Sequence, residues 1–146
     1  MKDDAPFLMI RRTFAAPVDW VYRAWTDPAI MQQWFCPGDM TVASASADVR
    51  VGGRYEVQMQ EPSGELRITG GIYKEVVPNA KLVFSWAWQG SDQETQVTVE
   101  LTALAAEETR MTLTHKGFVD EAARDAHDRG WRGCLDKLPA AMAALS

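Results

Sequence analysis

Residues 126–139 read AHDRGWRGCLDKLP, a segment of helix-forming residues that nevertheless contains two glycines and ends in a proline. It belongs to a longer run, from about Asp120, its predicted N-cap, to Leu145, in which apolar residues recur at helical spacing. On a helical wheel, one arc of about 80° collects the apolar side of this run, opposite its charged residues. A face that only fills a core would usually carry leucine and isoleucine, so this composition favours a pocket lining. The inward arc holds Ala123, His127, Gly130, Trp131, Cys134, Leu138, Ala141 and Leu145.

Three residues weaken this predicted helix. Each interior glycine costs roughly 1 kcal/mol relative to alanine, and an interior proline removes one helical hydrogen bond. Gly130 lies on the inward arc, where its missing side chain leaves room. Gly133 falls at one edge, where the sequence offers no physical reason for it. Pro139 predicts a bend near Leu135 that would let the helix follow a curved surface.

Between residues 40 and 117, before this helix, apolar residues recur at every second position, which predicts β-strands. A strand is also predicted at 7–16, and two short helices follow it. The second of these has Asp27 as its N-cap and Pro28 as its first residue. The six later strands are predicted at 41–51, 54–60, 66–77, 81–88, 95–104 and 109–117.

This order of elements predicts an α+β fold. An antiparallel sheet of about seven strands must curl to cover its apolar face, and the last helix is the one long element that could close it. Adjacent glycines, Gly70 and Gly71, predict a bulge and a bend within one strand. The 146 residues fit one domain, 1–146.

Composition narrows the classes of function. The net charge of -5 argues against nucleic-acid binding, which requires a basic face. Only two histidines and two cysteines occur, and neither cysteine lies in a CxxC unit, so we expect no metal site. No phosphate-binding or dinucleotide motif is present, and we expect no cofactor. The sequence also lacks a signal-peptide pattern and a run long enough to span a membrane, which predicts a cytoplasmic protein.

Candidate cavity residues are the polar and aromatic side chains at inward positions. His115 alternates with Met111 and Leu113 on the apolar face of one predicted strand. His127 precedes Trp131 by one turn of the predicted helix. Each histidine is interpreted either as a buried structural residue or as one of the few polar groups that orient a ligand in a pocket. The candidate ligand-binding residues are Trp34, Tyr55, Met59, Trp86, Trp88, His115, His127, Trp131 and Cys134.

Catalysis has less support in the residues. The G-x-S-x-G nucleophile motif is absent, and the spacing cannot show whether a cysteine pairs with a histidine. General acid–base chemistry by His115 or His127 stays open, because histidine titrates near neutrality. No catalytic residue is assigned.

Five segments carry a resemblance to a known family, in the same order along the chain. Together they resemble bacterial proteins like the activator of heat-shock protein 90 ATPase, within the START-like (SRPBCC) superfamily. The segments are RTFAAPVDWVYRAWTDPAIMQQWF (12–35), ADVRVGGRY (47–55), GGIYKEVVPNAKLVFSW (70–86), TRMTLTHKGF (109–118) and HDRGWRGCLDKL (127–138).

The resemblance implies a helix-grip fold, with a curved antiparallel sheet around a long C-terminal helix and two short helices after the first strand. It also implies a cavity between sheet and helix. The first hypothesis for function is the binding of a hydrophobic, especially aromatic, small molecule in that cavity. The alternatives are a cyclase- or hydrolase-like enzyme that uses the same cavity, and a module that interacts with a 90-kDa heat-shock chaperone. The oligomeric state is open, a homodimer included.

Overall fold

Seven strands and three helices make up the computed structural model, which describes residues 5–145. The helices are α1 (Val18–Thr26), α2 (Pro28–Trp34) and α3 (Glu121–Ala143). The strands are β1 (Phe7–Phe14), β2 (Thr41–Ala47), β3 (Arg54–Gln60), β4 (Leu66–Val77), β5 (Lys81–Trp88), β6 (Thr95–Ala105) and β7 (Glu108–Lys116).

The strands form one antiparallel sheet in the order β1-β7-β6-β5-β4-β3-β2. Strands β2 to β7 form a meander, and the last strand, β7, pairs with the first, β1. In this pair Phe7 lies opposite Lys116 and Phe14 lies opposite Thr109. The long helix α3 packs against the concave side with α1 and α2. The predicted helix-grip arrangement is therefore confirmed.

Short-range signals located the helix starts correctly. The Asp27 carboxylate accepts a hydrogen bond from the Ala29 amide at 3.0 Å, and Asp120 accepts from the Ala123 amide at 2.8 Å. Both side chains satisfy backbone donors that the first helical turn leaves without a partner. The N-caps predicted for α2 and α3 are thus confirmed.

The strand predicted at 41–51 is shorter in the structure, because β2 ends at Ala47. The following residues form a tight turn, in which the Arg50 amide donates to the Asp48 carbonyl at 2.9 Å and the Gly53 amide donates to the Arg50 carbonyl at 2.8 Å. Turn hydrogen bonds therefore replace ladder hydrogen bonds over the last part of the predicted strand.

The bulge predicted at Gly70–Gly71 lies elsewhere, since the register of β4 against β5 shifts between Tyr73 and Glu75. The glycines instead permit a close approach of neighbouring strands. A Cβ atom at Gly70 would lie 2.6 Å from the Tyr55 carbonyl oxygen, and one at Gly71 would overlap the Ser85 carbonyl. Gly70 and Gly71 are therefore sites of close strand packing, and the prediction of a bulge at them is wrong.

Side chains complete the hydrogen bonding of β4 and β5 at this close approach. The Ser85 hydroxyl accepts from the Ile72 amide at 2.9 Å, and the Tyr55 hydroxyl donates to the Ser85 carbonyl at 2.7 Å. Buried backbone groups need partners, and here two side chains supply them. The polar end of Tyr55 is thereby held inside the sheet.

Gly133 has a packing reason that the sequence did not reveal. A Cβ atom there would lie 3.3 Å from the Gly38 amide nitrogen and 3.4 Å from the Pro37 Cα atom. The loop after α2 therefore presses directly on α3 at this position. At Gly130, by contrast, an added Cβ would meet nothing within 4 Å. Helix α3 runs continuously through Pro139, and the bend near Leu135 stays a prediction.

The two glycines form a matched pair for a stability measurement. Gly130→Ala should raise the free energy of unfolding by up to about 1 kcal/mol, because it gains helix propensity without a steric cost. Gly133→Ala gains the same propensity but crowds backbone atoms, so it should be less stable than Gly130→Ala by about 1 kcal/mol or more. Urea unfolding followed by far-UV circular dichroism measures both variants, and equal stabilities would contradict this account of Gly133.

Candidate functional site

A pocket of about 350 Å³ lies between α3 and the concave face of the sheet. Its volume is at the lower end of the range for small-molecule sites, and its wall is mainly apolar and aromatic, as in such sites. Strands β3, β4 and β5, helix α3 and the loop after α2 all contribute. The lining residues are Pro37, Met40, Met59, Arg67, Trp86, Trp88, Ala126, His127, Gly130, Trp131 and Cys134.

Most of the predicted site residues come together in this pocket. The sequence assigned them to separate segments, and the curvature of the sheet brings the strand residues opposite the helix residues. The pocket-lining candidates are Met59, Trp86, Trp88, His127, Trp131 and Cys134. Three other candidates, Trp34, Tyr55 and His115, lie behind the wall.

Trp34 and Tyr55 belong to the packed core. The Trp34 indole donates to the Ala24 carbonyl at 2.9 Å and packs edge-on against Trp25, with ring centroids 4.8 Å apart. Tyr55 lies with its ring 5.1 Å from that of Phe84. Burial raises the pKa of the Tyr55 phenol well above its usual range, so the side chain stays neutral. Both residues support the fold rather than line the pocket.

His115 holds Trp131 in place from the second layer of side chains. The indole N–H of Trp131 donates to Nδ1 of His115 at 3.0 Å, and His115 is completely buried. Because Nδ1 accepts, the neutral ring carries its proton on Nε2. Nε2 donates this proton to Oγ1 of Thr95, and the two atoms are 2.6 Å apart. The Thr95 hydroxyl donates in turn to the Trp86 carbonyl at 3.2 Å. One hydrogen-bonded chain therefore connects α3, β7, β6 and β5.

His127 forms a second pair with an indole. The indole N–H of Trp88 donates to Nε2 of His127 at 3.1 Å, which assigns the ring proton to Nδ1. That Nδ1–H donates to the Ala123 carbonyl one helical turn earlier, at 2.8 Å. The pair joins the end of β5 to α3 across the pocket.

These contacts engage both ring nitrogens of both histidines. Burial, followed by the neighbouring His127, lowers the pKa of His115 to about 3, so His115 is neutral near pH 7. A general base needs a nitrogen within reach of the substrate proton. Neither histidine has an unoccupied ring nitrogen in this arrangement, so the acid–base hypothesis gains no support from it.

The two cysteines lie where α3 meets the loop after α2. Burial, followed by the neighbouring Cys36, raises the pKa of the Cys134 thiol, which therefore stays protonated and presents a weakly polar surface to the pocket. The Lys137 ammonium group donates to the Cys36 carbonyl at 2.8 Å and lies 3.5 Å from its sulfur. Lys137 thus fastens this loop to α3 beside the pocket.

Five residues of the wall were not among the candidate ligand-binding residues, although Gly130 was predicted to lie on the inward arc: Pro37, Met40, Arg67, Ala126 and Gly130. Arg67 had a detectable signal, because it lies directly opposite Met59 in the ladder of β3 and β4. Residues that face each other in a ladder project from the same face of the sheet. The apolar neighbours of Arg67 in sequence, Leu66 and Ile68, obscured that alternation.

The buried neutral state of His115 predicts a dependence of stability on acid. Its pKa is lowered on folding, so the unfolded chain binds the extra proton between about pH 6.5 and pH 3. Proton uptake favours the unfolded chain, so the free energy of unfolding is highest above about pH 6.5 and decreases as the pH falls from there towards 3. Between pH 7 and pH 5 the wild-type chain should lose about 2 kcal/mol that His115→Gln does not lose. Urea unfolding at both pH values measures the difference, and identical losses would contradict the assignment.

Within the described residues 5–145, no group of three or more His, Cys, Asp or Glu side chains is arranged to hold a metal ion. None of the helices described has both the length and the apolar composition that a membrane crossing requires.

Comparisons with known proteins agree with this architecture. The chain is similar to solved structures of a Nitrosomonas europaea protein (24% identity, 98% of this chain and 97% of that chain, TM-score 0.83) and an AHSA1 protein from Silicibacter pomeroyi (24%, 97% and 100%, TM-score 0.84). A Chromobacterium violaceum protein shares 26% identity over 92% of this chain and 96% of its own, with a TM-score of 0.83.

No curated protein matches the chain. A family model described as "Activator of Hsp90 ATPase homolog 1-like protein" matches residues 15–143, which is most of the sequence. The chain therefore belongs to the family of proteins like the activator of Hsp90 ATPase homolog 1.

Proposed function

We propose that this protein binds a hydrophobic or aromatic small molecule in the pocket between α3 and the concave face of the sheet. The observation that carries the proposal is an apolar pocket of about 350 Å³ with three tryptophans in its wall. Two of them, Trp88 and Trp131, are oriented by hydrogen bonds to histidines. Fixed aromatic faces bind a ligand without the cost of ordering flexible side chains.

Gly130 adds independent support. A glycine inside a helix is destabilising, and an alanine at this position would meet no neighbour within 4 Å. Stability alone therefore does not account for glycine here. Since Gly130 lines the pocket, its missing side chain preserves space that a ligand would occupy.

The test is a pair of variants on α3, both screened against aromatic and lipid compounds. Gly130→Leu places a side chain inside the pocket and should weaken the binding of any compound by tenfold or more. Ala122→Leu adds leucine at an exposed position of the same helix and should leave binding unchanged. Native mass spectrometry and the fluorescence of the pocket tryptophans measure both. The proposal fails if no compound binds the wild-type chain, or if the two variants bind alike.

Regulation of a chaperone ATPase is a second candidate, which rests on the description of the family that this chain belongs to. Under this alternative, the chain should stimulate ATP hydrolysis by a purified bacterial 90-kDa heat-shock chaperone by at least twofold. A coupled ATPase assay with equimolar protein is the measurement, and the Gly130→Leu variant tests whether the pocket participates. An unchanged hydrolysis rate would remove this candidate without affecting the first.

A further inference from the structure

We infer that the pocket takes an amphiphilic monocarboxylate, whose apolar body lies among the tryptophans and whose carboxylate binds Arg67 at the mouth. The inference rests on the proposed function and names its ligand class. It follows from the polar side chains of the wall, of which only Arg67, among the described residues, keeps strong and accessible hydrogen-bond donors open to a ligand.

The polar side chains around the inner part of the pocket have few donors or acceptors left for a hydrogen bond to a ligand. The indole N–H groups of Trp88 and Trp131 donate to histidines, and both ring nitrogens of His127 are engaged. The Trp86 indole nitrogen has no partner in the described chain, but it has almost no accessible surface. The Cys134 thiol is only a weak donor. A polar group on the inner part of a ligand would therefore lose its water without gaining a side-chain partner.

Arg67 is the exception, as the one charged side chain among the described residues that line the pocket. Its position opposite Met59 directs it to the concave face. Its side chain is 57% exposed, whereas Met59 is buried, so Arg67 lies at the mouth and Met59 lies deeper. This gradient from an apolar interior to a cationic mouth matches a molecule with one charged end.

Glu61 orients the guanidinium group of Arg67 without saturating it. The Glu61 carboxylate accepts from Nε of Arg67, and neither Nη group has a hydrogen-bond partner among residues 5–145. A planar guanidinium with both Nη groups open binds a carboxylate through two parallel hydrogen bonds. Arg67 thus retains a binding edge beside its internal ion pair.

Neighbouring charges limit the negative charge that the mouth of the pocket can accept. Glu61 and Glu65 both interact electrostatically with Arg67 and raise its pKa. Any further negative charge at the mouth would be repelled by these two carboxylates, which disfavours a doubly charged phosphate ester. A carboxylate that contacts Arg67 directly meets the least repulsion.

The experiment compares two probes that differ only at the polar end: 4-phenylbutanoate and 4-phenylbutan-1-ol. Titration calorimetry and tryptophan fluorescence give their affinities for the wild-type chain, Arg67→Gln and Arg54→Gln. Arg54 lies exposed on β3 outside the pocket, and its variant is the matched control for the loss of one positive charge. We expect the wild-type chain to bind the carboxylate about threefold more tightly than the alcohol, because an ion pair with an exposed arginine is screened by solvent. Arg67→Gln should abolish this preference, while Arg54→Gln should retain it.

The outcomes separate this inference from the proposed function. If the alcohol binds as tightly as the carboxylate, or if Arg67→Gln keeps the preference, the ligand class is wrong and the pocket still binds apolar molecules. The same holds if both arginine variants lose the preference equally, because the effect would then come from net charge. If neither probe binds any of the proteins, and no compound of the wider screen binds, both proposals fail.

Discussion

The buried hydrogen bond between the Trp131 indole and Nδ1 of His115 joins the long helix to the sheet. It is 3.0 Å long, and both residues are almost entirely excluded from solvent. A buried indole N–H without an acceptor would cost on the order of 1–3 kcal/mol, so the position of His115 constrains where α3 can lie. The other nitrogen of His115 extends the constraint to Thr95 and from there to β5.

The pocket is a consequence of this arrangement. The indole N–H groups of Trp88 and Trp131 are paired with histidine nitrogens, which leaves aromatic faces, methionine and a thiol to line the inner part of the cavity. Close contact at Gly133 brings the loop after α2 against α3, while the open space at Gly130 remains part of the cavity. Of these two glycines, three residues apart in one helix, Gly133 is in close contact with a neighbouring loop and Gly130 borders open space.

The sequence predicted correctly those features that depend on interactions between residues close together in the chain. Asp27 and Asp120 were identified as caps because a capping side chain bonds to an amide only two or three residues away. The strands followed from the period of two in their apolar residues. The site was predicted less completely, since Trp34 and Tyr55 have the same inward phase as pocket residues but lie in the packed core. Periodicity identifies the inward face of an element and does not reveal how deep a side chain lies.

By itself, the sequence determined the order of elements, the inward face of α3 and the presence of histidine, tryptophan and thiol on or opposite that face. Those features depend on the repeat of a helix or a strand. Only the tertiary structure decided that Trp131 pairs with His115, 16 residues away, that Trp88 pairs with His127, 39 residues away, and that Lys137 fastens Cys36, 101 residues away. It also decided that Arg67 lies at the mouth of the pocket. These contacts depend on the curvature and register of the sheet, which arise from the packing of the whole chain.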